Sequence, residues 1–195
     1  MKRLRTENKN TPRFAEELFE NRWKKQLHYI DWLRFKLLTK YFEGGRYLDI
    51  GCFNSPIPAE IKFRMPNAEV WAMDYAEKVI WHLKKVIPEV NYVVGNATDL
   101  PFKDNYFDYA VMGELIEHLE EPQKAVREAI RAIKRGGYLA LSVPNDEAHK
   151  GAVSDEHLWS FTEQDIVELL SPYGEVETAT YEDTSKHIIA FCKKK

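Results

Sequence analysis

Glu114, Glu117 and His118 crowd into the stretch Gly113-Glu114-Leu115-Ile116-Glu117-His118, and a further histidine, His157, follows in Asp155-Glu156-His157. Side chains of these kinds suit three sorts of work. They can cap and orient a turn, with no chemistry involved. One of Glu114, Glu117 or His118 can serve as a general base and take the proton of a reacting hydroxyl or amine. Or Glu114, Glu117, His118 and His157 can share a divalent ion, and an oxygen-rich set with one or two imidazoles suits Mg²⁺ or Mn²⁺. Such an ion would orient a bound hydroxyl and lower its pKa. These residues alone leave all three readings open. The other histidines are weaker candidates: His82 on an expected helix, His187 at the start of the last strand, and His149 beside Lys150 in a polar loop.

A second set of acids marks strand ends. Asp49 stands almost at the end of the apolar run 47–50, and Asp74 closes a second run, Val70-Trp71-Ala72-Met73. After the first run come a tight turn at Gly51 and a helix start, with Ser55 suited to the N-cap and Pro56 to the first helical position. A strand–turn–helix that opens an alternating β/α series is where open parallel sheets take a nucleotide-like ligand, beyond the carboxyl ends of the strands. An acid at the end of the second strand is placed to accept hydrogen bonds from the ribose hydroxyls of an adenosine.

The elements that must position these residues are legible in outline. Residues 1–12 are charged and aperiodic and are expected to be a disordered basic tail. Residues 13–45 read as a helical cap: a short helix over 14–20, then a longer one with Trp23, Leu27, Ile30, Leu33, Leu37 and Tyr41 spaced by three and four, stopped by Gly44-Gly45. The cap could offer Trp23, His28, Tyr29 or Trp32 to a ligand. From 46 to 195 strands and helices alternate. Strands are expected at 70–74, 90–94, 107–112 and 138–143. Helices are expected over about 56–64 and 76–86, and from Pro122 to Gly136-Gly137 with Ile133 on its inner face. A polar connection, 144–161, is longer than most loops between strand and helix. Trp159 and Phe161 would wedge it onto the core. Thr162 with Asp165 makes a capping-box variant for one more helix, and two strands, 175–181 and 187–192, close the chain.

The motifs LDIGC at 48–52, AMDY at 72–75, VVGNATDLPF at 93–102, FDYAVMGELIEHL at 107–119 and GGYLALSVPN at 136–145 have the order and spacing of a known family. Over residues 46–193 the chain resembles class I S-adenosylmethionine (SAM)-dependent methyltransferases. The resemblance implies a three-layer αβα sandwich around a seven-stranded, mostly parallel sheet of order 3-2-1-4-5-7-6 with an antiparallel last strand. It implies that Asp49, Gly51, Cys52 and Phe53 line the methionine end of SAM, Asp74 and Tyr75 the ribose, and Asn96 and Ala97 the adenine, whose amino group the Asn96 side-chain oxygen would accept. Gly113, Glu114 and Leu115 would close over the sulfonium. The Glu-x-x-Glu-His stretch is also similar to one in small-RNA 2′-O-methyltransferases and quinone-pathway O-methyltransferases. In the former a downstream histidine completes a metal site, and His157-Leu158-Trp159-Ser160-Phe161-Thr162 looks like that segment. One departure stands out: where the family has Gly-x-Gly-x-Gly, this chain has Gly51, Phe53 and Ser55. SAM has no pyrophosphate to demand the later glycines, but Phe53 is strained if its φ is positive.

Composition bounds the rest. A chain of 195 residues, 44% hydrophobic, suits one domain with a sizeable core. A net charge of −3 gives no electrostatic case for duplex nucleic acid. Two cysteines in separate motifs imply no disulfide framework and fit a reducing cytoplasm. No apolar run approaches the ~20 residues that span a bilayer, and the first residues do not read as a secretory signal. The expected function is methyl transfer from SAM to an oxygen, or a nitrogen, on a small molecule or on RNA. The rival readings are a degenerate binding module, which Phe53 keeps open, and a nucleotide-dependent oxidoreductase, whose Gly-x-Gly-x-x-Gly is missing.

Overall fold

Strands that are apolar at nearly every position need cover on both faces, and the sheet is built that way. The computed structural model describes residues 1–22, 29–145, 154–179 and 187–195, with the side chains of 20–22 and 29–32 left out of the description. In chain order the elements are β1 (Lys2–Arg3), α1 (Pro12–Arg22), α2 (Tyr29–Leu38), β2 (Arg46–Ile50), α3 (Ile57–Arg64), β3 (Glu69–Asp74), α4 (Glu77–Val86), β4 (Asn91–Val94), β5 (Phe107–Gly113), a 3₁₀ turn at Ile116–His118, α5 (Pro122–Ala132), β6 (Ile133–Pro144), β7 (Trp159–Ser160), α6 (Glu163–Leu170), β8 (Gly174–Ala179) and β9 (His187–Lys194). Seven strands form one sheet in the order β4-β3-β2-β5-β6-β9-β8. Counted along the chain, that is the expected 3-2-1-4-5-7-6, with β9 antiparallel to both neighbours.

Successive side chains of a strand point to opposite faces, so each strand feeds two cores. Leu48, Ile50, Ala110, Met112, Leu139 and Leu141 cluster with Ala125, Val126 and Ile166 of α5 and α6. Tyr47, Tyr109, Val111 and Ala140 cluster with Phe19, Leu38, Ile61 and Val79 of α1 to α4. The helical cap therefore belongs to one of the two cores. Among the described residues no helix is long and apolar enough to cross a membrane.

Four local expectations change. Residues 1–12, expected to be disordered, carry β1, which pairs antiparallel with β7 as Lys2 with Ser160 and Arg3 with Trp159. Their basic side chains meet acids: Arg3 bonds Glu120 and Arg5 bonds Asp155. Next, α5 ends at Ala132, and Ile133 starts β6 opposite Phe107. Gly136, at φ +79°, and Gly137, where a Cβ would lie 2.6 Å from the Asp108 carbonyl oxygen, serve an irregular strand rather than a helix stop. At α3 the cap position falls on Pro56, and the Ser55 hydroxyl accepts from the Ile57 N–H at 3.2 Å. In the cap, the first helix runs from Pro12 to Arg22 and a second from Tyr29. Trp23, His28, His149 and Lys150, like the side chains of Tyr29 and Trp32, lie outside the described residues. The Thr162–Asp165 capping box forms as expected.

Two stacked tyrosines under the cap differ in one respect. Tyr109 donates its hydroxyl to the Leu38 carbonyl at 2.8 Å, whereas the Tyr47 hydroxyl, equally buried, has no partner among the described residues. Tyr47→Phe is therefore expected to leave stability unchanged or raise it by about 1 kcal/mol, and Tyr109→Phe to lower it by about 1 kcal/mol. Urea denaturation of both variants checks the sign, and the opposite order would contradict this packing.

Candidate active site

Beyond the carboxyl ends of β2 and β5 opens a cavity of about 950 Å³, at the upper end of the size of small-molecule sites. Every residue assigned from the sequence to a cofactor lines it: Asp49, Gly51, Cys52, Phe53, Asp74, Tyr75, Asn96, Ala97, Gly113 and Leu115. Glu114, Glu117, His118 and His157 line it too.

The turn after β2 is shaped by backbone bonds. The N–H groups of Gly51 and Cys52 both donate to the Met73 carbonyl, at 2.8 and 2.9 Å. Gly51 sits at φ +74°, so the turn needs glycine for its conformation, and a Cβ there, 2.6 Å from Leu115 Cδ1, would also displace that side chain. Phe53 follows at φ +37°, the strain its sequence position raised. Two contacts hold it. Its N–H donates to Asp74 Oδ2 at 2.9 Å, and its ring meets Phe19 of α1 edge to face at 5.7 Å. The strained residue thus ties the turn to Asp74 on one side and to the helical cap on the other.

The two acids differ in their bonding. Asp74 also accepts the Ala76 N–H on Oδ1 at 2.9 Å. Burial pushes its carboxyl up from the ordinary range, and these N–H groups hold it back. Asp49 is 3% exposed, and its Oδ2 has no partner among the described residues. Burial first, then the neighbouring Asp74 charge, raise it to about 7 against the pull of the Ser55 hydroxyl. An unpartnered carboxylate oxygen at a cavity wall is a place for a ligand's donor or positive charge. At the other end, the Asn96 side-chain oxygen accepts from the Thr98 N–H and hydroxyl, at 2.9 and 3.0 Å. The oxygen expected to receive an adenine amino group is here turned into its own loop.

The acid–imidazole stretch splits. Glu117, His118 and His157 offer ligand atoms that all lie within 4.8 Å of one another. Glu114 does not join them. At φ +51° it turns its carboxylate to other partners, accepting from Ser142 Oγ at 2.8 Å and lying 3.5 Å from both Arg34 Nη1 and His187 Nε2. The four-residue ligand set expected from the sequence is therefore a trio. Within it, His118 Nδ1 is 3.1 Å from the Glu156 carbonyl. A carbonyl only accepts, so Nδ1 carries the hydrogen and Nε2 is the nitrogen that can take a proton. Glu117 Oε1, buried, stands 3.8 Å from Nε2. Sequence reasoning missed Arg34, which sits in a largely apolar helix, and ranked His187 low as the first residue of the last strand, with no motif around it.

Comparison with known proteins bears on this arrangement. A family model described as a methyltransferase domain matches residues 48–141. A "Probable S-adenosylmethionine-dependent methyltransferase" of Mycolicibacterium smegmatis is 28% identical over 143 residues, covering 72% of this chain and 51% of its own. A demethylmenaquinone methyltransferase of Renibacterium salmoninarum is 34% identical over 101 residues, 51% of this chain and 41% of its own. The chain spans about half the length of such curated relatives. The solved structure of Haemonchus contortus phosphoethanolamine N-methyltransferase 2, in complex with S-adenosyl-L-methionine, shares the fold with a TM-score of 0.67 at 18% identity, covering 84% of this chain and 53% of that one. Residues 48–141 thus match a methyltransferase domain, and in strand order and strand-end acids the chain is similar to the class I SAM-dependent methyltransferases.

Proposed function

We propose that the protein transfers the methyl group of SAM to an oxygen, with nitrogen the alternative, on a small-molecule acceptor. The observation that carries this reading is the cavity at the ends of β2 and β5, with Asp49 Oδ2 in its wall and unpartnered among the described residues. Carboxylates dominate the lining: Asp49, Asp74, Glu114, Glu117 and Glu156 face Arg34 and two imidazoles. A cavity of that sign concentrates cations, and SAM carries a sulfonium and an ammonium. Asp49 suits its positively charged end, Asp74 the ribose through lone pairs that Phe53 and Ala76 leave over, and the Asn96–Ala97 loop the adenine, without the Asn96 side-chain oxygen, which Thr98 occupies. The SAM complex of the Haemonchus neighbour and the likeness to a demethylmenaquinone methyltransferase support the cofactor and a small acceptor.

SAM supplies an electrophilic methyl group, so this chain's share is to hold the acceptor in line, exclude water and remove a proton. His118 is the proposed base, acting through Nε2, with Glu117 stabilising the imidazolium that forms. Glu114 is left a structural and orienting role. A second reading rests on the trio itself. Two imidazoles and one carboxylate within reach of one another could hold a divalent ion, Mn²⁺ more readily than Mg²⁺ now that Glu114 has left the set. Radiolabelled SAM screened against small hydroxylated and amino acceptors and RNA, with and without chelator, separates these readings. With the base reading, chelator has no effect and His118→Ala lowers kcat about 10²–10⁴-fold. Loss of transfer on chelation, restored by Mn²⁺, would favour the ion, and SAM binding with no transfer to any acceptor would favour a binding module.

Asp49 also makes cofactor binding depend on pH. Its pKa in the empty fold, about 7, lies above the ordinary 3.8. Its contribution to the stability of the empty fold is therefore full below the ordinary value and is lost as pH rises through about 7. A cation bound beside it favours the ionised form. SAM affinity is expected to rise as pH climbs to about 7, by up to about tenfold per unit, and to level off above. Calorimetry in buffers of different ionisation heat should show a proton released on binding near neutrality, and Asp49→Asn should abolish both effects. A flat pH profile for the unmodified protein would contradict this role.

A further inference from the structure

The first ten residues do more than fill space. Asn8 and Asn10 line the cavity, as do Pro12 and Phe14 behind them. Ahead of them the chain is pinned to the far rim. Beyond the β1–β7 pairing, the Leu4 N–H donates to the Leu158 carbonyl at 2.7 Å. Arg3 reaches Glu120 at 2.6 Å and lies over the Trp159 ring, and Arg5 reaches Asp155 at 2.6 Å. On the near rim, Tyr75 donates its hydroxyl to the Thr11 carbonyl at 3.1 Å. Asn10 stands between, and its Nδ2 donates to two carbonyls at once, that of His118 at 3.2 Å and that of Glu156 at 2.8 Å. One amide thus joins the 3₁₀ turn to the loop that carries His157.

We propose that residues 1–11 form a strap across the cavity, clasped by Asn10, and that its release is the step by which cofactor and product exchange. The strength of the fastening suits a gate. The ladder is two residues long, and the Arg3–Glu120 and Arg5–Asp155 pairs are between a third and four-fifths exposed. Exposed pairs of this kind are each worth at most about a fivefold change in equilibrium, and salt screens them. The contacts hold the strap closed most of the time without locking it. With the strap closed, Asn10 keeps the backbones of His118 and Glu156 in register. It is a positioning residue that touches no reacting atom.

The proposal rests on the reading that this cavity takes SAM, and S-adenosylhomocysteine, the product form, is the probe. Its dissociation rate from the full chain is measured by stopped flow, together with amide exchange at Leu4, for unmodified protein, Asn10→Ala and the double variant Arg3→Glu/Arg5→Glu. The expected results are slower exchange at Leu4 when the ligand is bound, dissociation at least about threefold faster in both variants, and faster dissociation of the unmodified protein's ligand as salt is raised. Thermal melting of each variant is recorded alongside, because these side chains lie outside the two cores and should leave Tm nearly unchanged. Unchanged dissociation in both variants, with Leu4 exchange indifferent to ligand, would overturn the strap while leaving the cofactor reading intact. Failure of the unmodified protein to bind the probe would overturn both.

Discussion

The carboxylate of Asp74 is the joint on which the site depends. It closes β3, yet through Oδ2 it holds the N–H of Phe53 in the turn after β2, and through Oδ1 the N–H of Ala76 at the entrance to α4. The bonds of the Gly51 and Cys52 N–H groups to the Met73 carbonyl fix the start of the turn after β2. A buried acid with two backbone donors extends that tie to Phe53 and to the entrance of α4. Its desolvation is offset by those bonds. They also hold Phe53 in a backbone conformation it would not adopt alone. The departure from a glycine-rich turn is thus accommodated by one side chain, with the Phe19 ring packed on the outer side.

From that joint the electrostatics of the cavity follow. Asp74 keeps Asp49 partly protonated in the empty fold by adding its charge to the cost of burial. Two neighbouring acids in one wall are unfavourable without a cation between or beside them. The resulting preference is for a positively charged guest, the charge type of SAM. Glu114 is organised differently, balanced by Ser142, Arg34 and His187. That cluster has its own paired charges, and the trio of Glu117, His118 and His157 stands apart from it.

Much of this was legible in the chain. The sheet order came with the family resemblance, whereas the acids at the ends of β2 and β3, the need for glycine at 51 and the Thr162 cap follow from local patterns, because strand ends and caps are local devices. The strain at Phe53 was legible as well, since positive φ at a non-glycine residue is a matter of one position. What escaped depends on contacts across the sequence. Glu114 sits three residues from Glu117, which suggests shared ligation, but its left-handed backbone turns it toward Ser142 and His187 on other strands. Residues 1–12 look disordered by composition, and their charges find partners only across the sequence, in Glu120, Asp155 and Asp165. Arg34 is hidden in a largely apolar helix for the same reason. The stop of α5 was misplaced because Gly136 and Gly137 signal a break in either kind of element, and the close approach of the Asp108 carbonyl decides for the strand.

The central claim is that the crevice between the ends of β2 and β5 takes an adenosyl sulfonium, gripped by Asp49 at the methionine end and Asp74 at the sugar. A crystal structure grown with S-adenosylhomocysteine tests it most directly. The account predicts ligand density running from Gly51 to Asn96, its ammonium beside Asp49 and its ribose on Asp74, with the Phe53 ring still edge-on to Phe19. A crevice filled by the Phe53 ring, with both acids bonded only to protein and no ligand density, would contradict it.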